Sequence, residues 1–115
     1  MAYRQFIVPT DHDFVTSLGV IPEARGEDGV RGIVIPATDG FEVDLTIDPL
    51  GLSVVLSVTR NTSEIMRIIR EGATALRLAP TSPEIVIEFT TDDTAGRIEV
   101  TLRPFIYVAE TTLLG

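Results

Sequence analysis

The chain has 115 residues, 17 of them Asp or Glu against nine Arg, with no Lys, no Cys, no Trp and a single His, for a formal charge of −8. This alphabet excludes disulfides, Fe–S clusters, thiolate metal sites, a P-loop lysine, Schiff-base chemistry and any site built from two histidines. The charge disfavours nucleic acid and anionic membranes, which are held by clustered Lys and Arg, and favours steering toward a basic protein.

In chain order, Arg4 to Pro9 reads as a short strand ended by proline. Thr10 with Asp13 three residues on imitates a capping box, Phe14 and Leu18 share a face, and Gly19 is a stop, predicting a short helix over about 10–18. Residues 20–30 mix Pro, Gly and charge without periodicity and read as a long, acidic, mobile loop. Residues 31–36 form a strand, and 37–40 a turn. Phe41, Val43, Leu45 and Ile47 alternate with Glu42, Asp44, Thr46 and Asp48, a strand with one buried and one wet face. Asp48-Pro49-Leu50-Gly51 fits a type I turn. The strand from Leu52 to Thr59 has a nearly uncharged wet face, which places it inside the sheet. Asn61 to Glu71 reads as the principal helix. Asn61 caps it, and Ile65, Met66, Ile68 and Ile69 lie within an arc of about 160° at ~100° per residue. Residues 75–79 predict a short strand. Strands around 85–89 and 97–103 form a second hairpin, in which Glu84 with Arg103 or Glu88 with Arg97 can pair across. Phe105 to Ala109 continues as a bent or edge strand.

The expected fold class is therefore α+β in a single domain, 1–115: a mostly antiparallel sheet with one principal amphipathic helix (about 61–72) on one face and a short N-terminal helix (about 10–18). Only the crossover near 61–73 is long enough to join parallel strands. No apolar run approaches the ~20 residues of a membrane span. The start of the chain shows no signal-peptide pattern, and the expected location is the cytoplasm. Arginine without lysine points to a GC-rich bacterial or phage genome.

The acidity is uneven. Residues 1–50 carry nine acids (Asp11, Asp13, Glu23, Glu27, Asp28, Asp39, Glu42, Asp44 and Asp48) against three arginines, a net of −6. Residues 51–115 carry eight against six, a net of −2. Those nine acids are the candidate partner-binding residues. Asp11-His12-Asp13 sets an imidazole between two carboxylates, which as a catalytic or metal site needs a third convergent group. Otherwise it is a helical first turn complementing the helix dipole. Asp92-Asp93 is a possible cation site or a turn former. No catalytic residue, metal site or cofactor site is expected. Tyr3, Phe105, Tyr107, Leu113 and Leu114 near the termini would make a homodimer contact if exposed.

The hairpin FEVDLTIDPLGLSVVLSV, the amphipathic helix expected at SEIMRIIREG and the hairpin ending DDTAGRIEVTLR span about half the chain. Together they resemble small α+β immunity-type proteins of bacterial toxin systems. The resemblance implies a non-enzymatic acidic protein that binds and blocks a cognate toxin, with no site residue carried over. Two other classes stay open: a small ligand-binding protein or carboxylate-dependent enzyme, which needs two convergent acids in a pocket, and a homo-oligomeric structural or phage assembly component.

Overall fold

The computed structural model describes residues 5–114, with side chains described through Leu113. Among these residues one helix, α1 (Asp11–Leu18), precedes nine strands: β1 (Glu23–Ala24), β2 (Arg31–Pro36), β3 (Phe41–Asp48), β4 (Ser53–Arg60), β5 (Ser63–Glu71), β6 (Ala73–Leu78), β7 (Ile85–Thr90), β8 (Thr94–Thr101) and β9 (Tyr107–Leu114). The strands form two antiparallel sheets in simple sequence order, β1-β2-β3-β4-β5 and β6-β7-β8-β9. The α+β, mostly antiparallel reading holds.

Alternation decides which face is buried. Val43, Leu45 and Ile47 of β3 lie opposite Val58, Leu56 and Val54 of β4, and all six are buried. Ile33 and Ile35 of β2 continue the same face. In the second sheet Ile85 and Ile87 of β7 register with Val100 and Ile98 of β8. All of these side chains join one continuous core, so the two sheets pack face to face. Each fully buried Val, Leu or Ile contributes about 1.5–3 kcal/mol. As expected, β4 is interior, between β3 and β5.

The principal helix expected over 61–72 is not formed; that segment is β5, the edge strand of the first sheet. Asn61 does not cap a helix. With Thr62 it makes the two-residue turn joining Arg60 to its partner Ser63, with φ of 49° and 72° at the two central residues, the signature of a type I′ hairpin turn. The misreading has a physical cause. An apolar cluster at 65, 66, 68 and 69 matches a helical stripe, but an edge strand tolerates the same residues on both faces. Met66 and Ile68 turn inward opposite Val58 and Leu56, while Ile65 and Ile69 stay exposed. A β-bulge at Val58/Thr59 blurs the period of two further. The inward position of Arg70 opposite Val54 hid the strand pattern as well.

The chain changes sheets within one residue, at Gly72 between β5 and β6. Gly72 has φ 78°, and its carbonyl accepts the Thr90 N–H at 2.8 Å while Ala73 N–H bonds Leu52 O at 2.8 Å. A Cβ at Gly72 would overlap the Thr90 carbonyl. The expected parallel crossover is thus a sheet-to-sheet corner. The parallel pairing that does occur is a single bridge, Ile7 with Ala75, in place of the strand expected over 4–9. Beside this corner Arg70 of β5 makes a two-point ion pair with Glu110 of β9, linking the sheets; the carboxylate holds the guanidinium pKa above its usual value.

The short helix forms as expected. Thr10 accepts the Asp13 N–H and Asp13 accepts the Thr10 N–H, a complete capping box, and the Thr10 backbone N–H, with its side chain second, holds the Asp13 carboxyl below its ordinary pKa. That contribution is present above the ordinary carboxylate range and fades as pH falls through the lowered value. Phe14 of α1 is buried in the shared core together with Phe6. The loop over 20–30 is less free than expected: β1 pairs with β2, and Arg25 N–H bonds Val30 O at 2.9 Å. In the second hairpin Glu88 is in register with Arg97, but its ion pair goes to Arg77 at 2.6 Å.

Two backbone substitutions test this arrangement. Thr62→Gly relieves a β-branched residue from positive φ and is expected to raise unfolding stability by about 1 kcal/mol in denaturant titration; were 61–72 helical, the same change would lower it by about 0.5–1 kcal/mol. Gly72→Ala meets both positive φ and a backbone carbonyl, and a loss of roughly 2 kcal/mol is expected.

Candidate partner-binding surface

The register of the first sheet sorts its outward side chains into rows. Pro36, Glu42, Thr59 and Glu64 form one; Val34, Asp44, Ser57 and Arg67 the next; Gly32, Thr46, Val55 and Ile69 the third; Asp48, Ser53 and Glu71 the last. Glu23 of β1 lies opposite Gly32 and extends the third row. One face thereby gathers Glu23, Glu42, Asp44, Asp48, Glu64 and Glu71, with Arg25 and Arg67 as its cations. Val34 and Ile69, 43% and 58% exposed, set apolar surface between the charges.

The two arginines do not neutralise this face evenly. Arg25 lies flat across Gly32, where any Cβ would overlap it, and grips Asp44 with both guanidinium nitrogens (Nη1 to Oδ1 at 2.5 Å, Nη2 to Oδ2 at 3.2 Å); Nη1 also donates to Thr46 Oγ1 at 2.7 Å. Such fork-to-carboxylate contacts are stronger and more directional than a lysine contact. Arg67 reaches Glu64 at 3.8 Å, and Glu64 accepts the Ser57 hydroxyl at 2.8 Å. Asp48 accepts the Gly51 N–H at 2.9 Å and so fixes the β3–β4 turn. Glu23, Glu42 and Glu71 have no ion-pair partner among the described residues, and all three are exposed.

The nine acids singled out from sequence therefore divide. Glu23, Glu42, Asp44 and Asp48 share this face. Glu27 and Asp28 sit exposed in the β1–β2 turn, where Gly29 lies beside the side chain of Leu50, which is 83% exposed at the tip of the β3–β4 turn. Asp39 sits in the turn between β2 and β3 at positive φ, and its carbonyl accepts Arg60 Nε at 3.2 Å. Asp11 and Asp13 are on α1, not on this face. Asp11 pairs at 2.6 Å with Arg31, a member of the inward set of β2, and Asp13 is committed to its cap. A helical reading of 61–72 sets Glu64 and Glu71 against solvent on a helix and so hides them; in the strand, Glu71 faces outward by alternation with Arg70, and Glu64 does so only because the bulge at Val58/Thr59 puts it opposite Thr59.

His12 is exposed and lies 3.4 Å from Thr16 Oγ1, one helical turn along. No group of three or more His, Asp or Glu side chains is placed to hold a metal ion among the described residues. No helix among them is long and apolar enough to cross a membrane. Phe105, Tyr107 and Leu113 are exposed, the condition set for a contact patch near the C-terminus; Tyr3 and the side chain of Leu114 lie outside the described residues.

No family model matches the sequence, and no curated protein is significantly similar to it. Among solved structures, one chain of a contact-dependent growth inhibition toxin–immunity protein complex from Klebsiella pneumoniae 342 has the same fold. The TM-score is 0.75 at 17% identity, covering 93% of this chain and 96% of that one. The resemblance to immunity-type proteins read from the sequence thus has a counterpart in a fold found in a toxin–immunity complex.

Proposed function

We propose that this chain is a non-enzymatic, immunity-type protein that binds and blocks a basic protein effector through the outer face of its five-stranded sheet and the adjoining turns. The observation that carries the reading is the fold shared, over nearly its whole length, with one chain of a toxin–immunity complex. Between the two roles in such a complex, composition favours the inhibitor: the chain lacks Lys and Cys, has one His, and carries a charge of −8. A basic effector would be drawn to Glu23, Glu42 and Glu71, whose carboxylates are not spent on internal ion pairs among the described residues. Glu27 and Asp28 precede Gly29, which lies beside Leu50, an exposed apolar contact able to bury area once the partner has docked.

Charges of this kind act mainly on association rate. The protein copurifying from the source cell is the partner to use. Reversing Glu23, Glu27, Asp28 and Glu42 to Lys is expected to slow its association at least 10-fold at low salt. The dissociation rate should change far less, and the salt dependence should flatten. Asp11→Asn and Asp13→Asn serve as controls that leave association unchanged. Copurification of no protein, or association indifferent to both salt and the four reversals, would sink the reading.

A further inference from the structure

At one end of the molecule, where the C-terminal turn of α1 meets the end of β2 and the loops of the second sheet, lies a cleft of about 200 Å³ whose wall includes Leu18, Ile35, Thr38, Glu84, Leu102 and Arg103. Glu84 is the buried charged residue among the described residues, at 4% exposure. Carboxylates are seldom buried so far without a cation or a full set of donors. Glu84 has neither. Its Oε1 accepts one neutral donor, the Leu102 N–H, at 3.2 Å, and no ion pair to it forms among the described residues. The Glu84–Arg103 pairing expected from sequence is absent, although both residues line the cleft. Its Oε2 has no partner among the described residues, yet no fully buried side-chain oxygen there lacks one. Oε2 is therefore not fully enclosed, and Glu84 lines the cleft.

We propose that this cleft takes a single guanidinium or ammonium side chain, with Glu84 Oε2 accepting its N–H donors, and that the side chain belongs to the protein partner; this last attribution rests on the function proposed above. Three features select that class of ligand. The volume is below the ~300–1,000 Å³ typical of pockets for drug-sized ligands and suits one side chain. Leu18, Ile35 and Leu102 offer apolar walls for the aliphatic stem of an Arg or Lys whose head is charged. Pro36, another residue of the wall, is the register partner of Glu42, so the cleft adjoins the acidic face. The rival occupant is the chain's own Arg103 swinging inward.

The probe is Nα-acetyl-arginine amide, with the neutral isostere Nα-acetyl-citrulline amide as its control, titrated into the full chain and read from backbone amide NMR shifts. The arginine amide should shift Glu84 and Leu102 saturably, the citrulline amide should not, and Glu84→Gln, which keeps an oxygen for the Leu102 N–H, should weaken the probe at least 10-fold. Arg103→Ala should leave the titration intact or tighten it. Equal response to the citrulline amide, an unchanged titration in Glu84→Gln, or loss of binding in Arg103→Ala overturns the site. Should Glu84→Gln fail to fold, the comparison of the two amides on the unaltered chain decides. With the copurified partner, Glu84→Gln should speed dissociation at least 10-fold; probe binding without that effect rejects the partner as the source of the side chain. Probe binding where no partner exists rejects the immunity-type reading and leaves the cleft as a cation site.

Discussion

The molecule depends on the corner at Gly72. A five-stranded meander with one apolar face cannot bury that face alone, and the chain solves the problem by laying a second meander against it. The passage from one sheet to the other has no loop: β5 ends at Glu71 and β6 begins at Ala73. Only a residue without a Cβ can sit there at positive φ against the Thr90 carbonyl. The Ala73–Leu52 and Thr90–Gly72 hydrogen bonds then tie each sheet to the corner. Two residues before it, the Arg70–Glu110 pair joins edge strand β5 to edge strand β9, a second tie between the sheets beside the corner.

That architecture governs which charges are available for binding. Strand pairing commits Asp44 to Arg25, Asp48 to its turn and Asp11 to Arg31. These acids position the backbone more than they advertise charge. Surface ion pairs of this kind contribute about 0–1 kcal/mol, so their worth lies in fixing geometry. Arg25 shows how: the missing side chain at Gly32 lets its guanidinium lie across β2 and reach Asp44 on β3, which anchors the acidic turn 26–29 beside the sheet. Glu23, Glu42 and Glu71 are left outward on a rigid surface, at no cost of burial.

Much of this was legible in the sequence. The strict alternation from Phe41 to Thr59, the Asp-Pro-Leu-Gly turn and the Thr10 capping box each have one physical solution, and the fold adopts it. The failure over 61–72 is equally instructive. Ile65, Met66, Ile68 and Ile69 satisfy two periodicities at once, and the deciding information lay elsewhere: in the open edge of β4 that needed a partner, and in Glu110, 40 residues away, that lets Arg70 face inward. The acidic face was half legible, because Glu42, Asp44 and Asp48 alternate on one strand. Its other members depend on inter-strand register, which a single sequence does not carry. Glu84 was readable only as a cross-strand partner; its burial in a cleft is a product of tertiary packing.

The proposed docking surface is the outer face of the first sheet with its adjoining turns, not the β9 edge of the second sheet. Hydrogen exchange of the chain, alone and bound to its copurified partner, tests this most directly. Slowed exchange on binding is expected in residues 23–30, in the 48–51 turn and in strand 63–71, with edge strand 107–113 unchanged. Protection confined to 107–113, with 23–30, 48–51 and 63–71 exchanging as in the free chain, would contradict it.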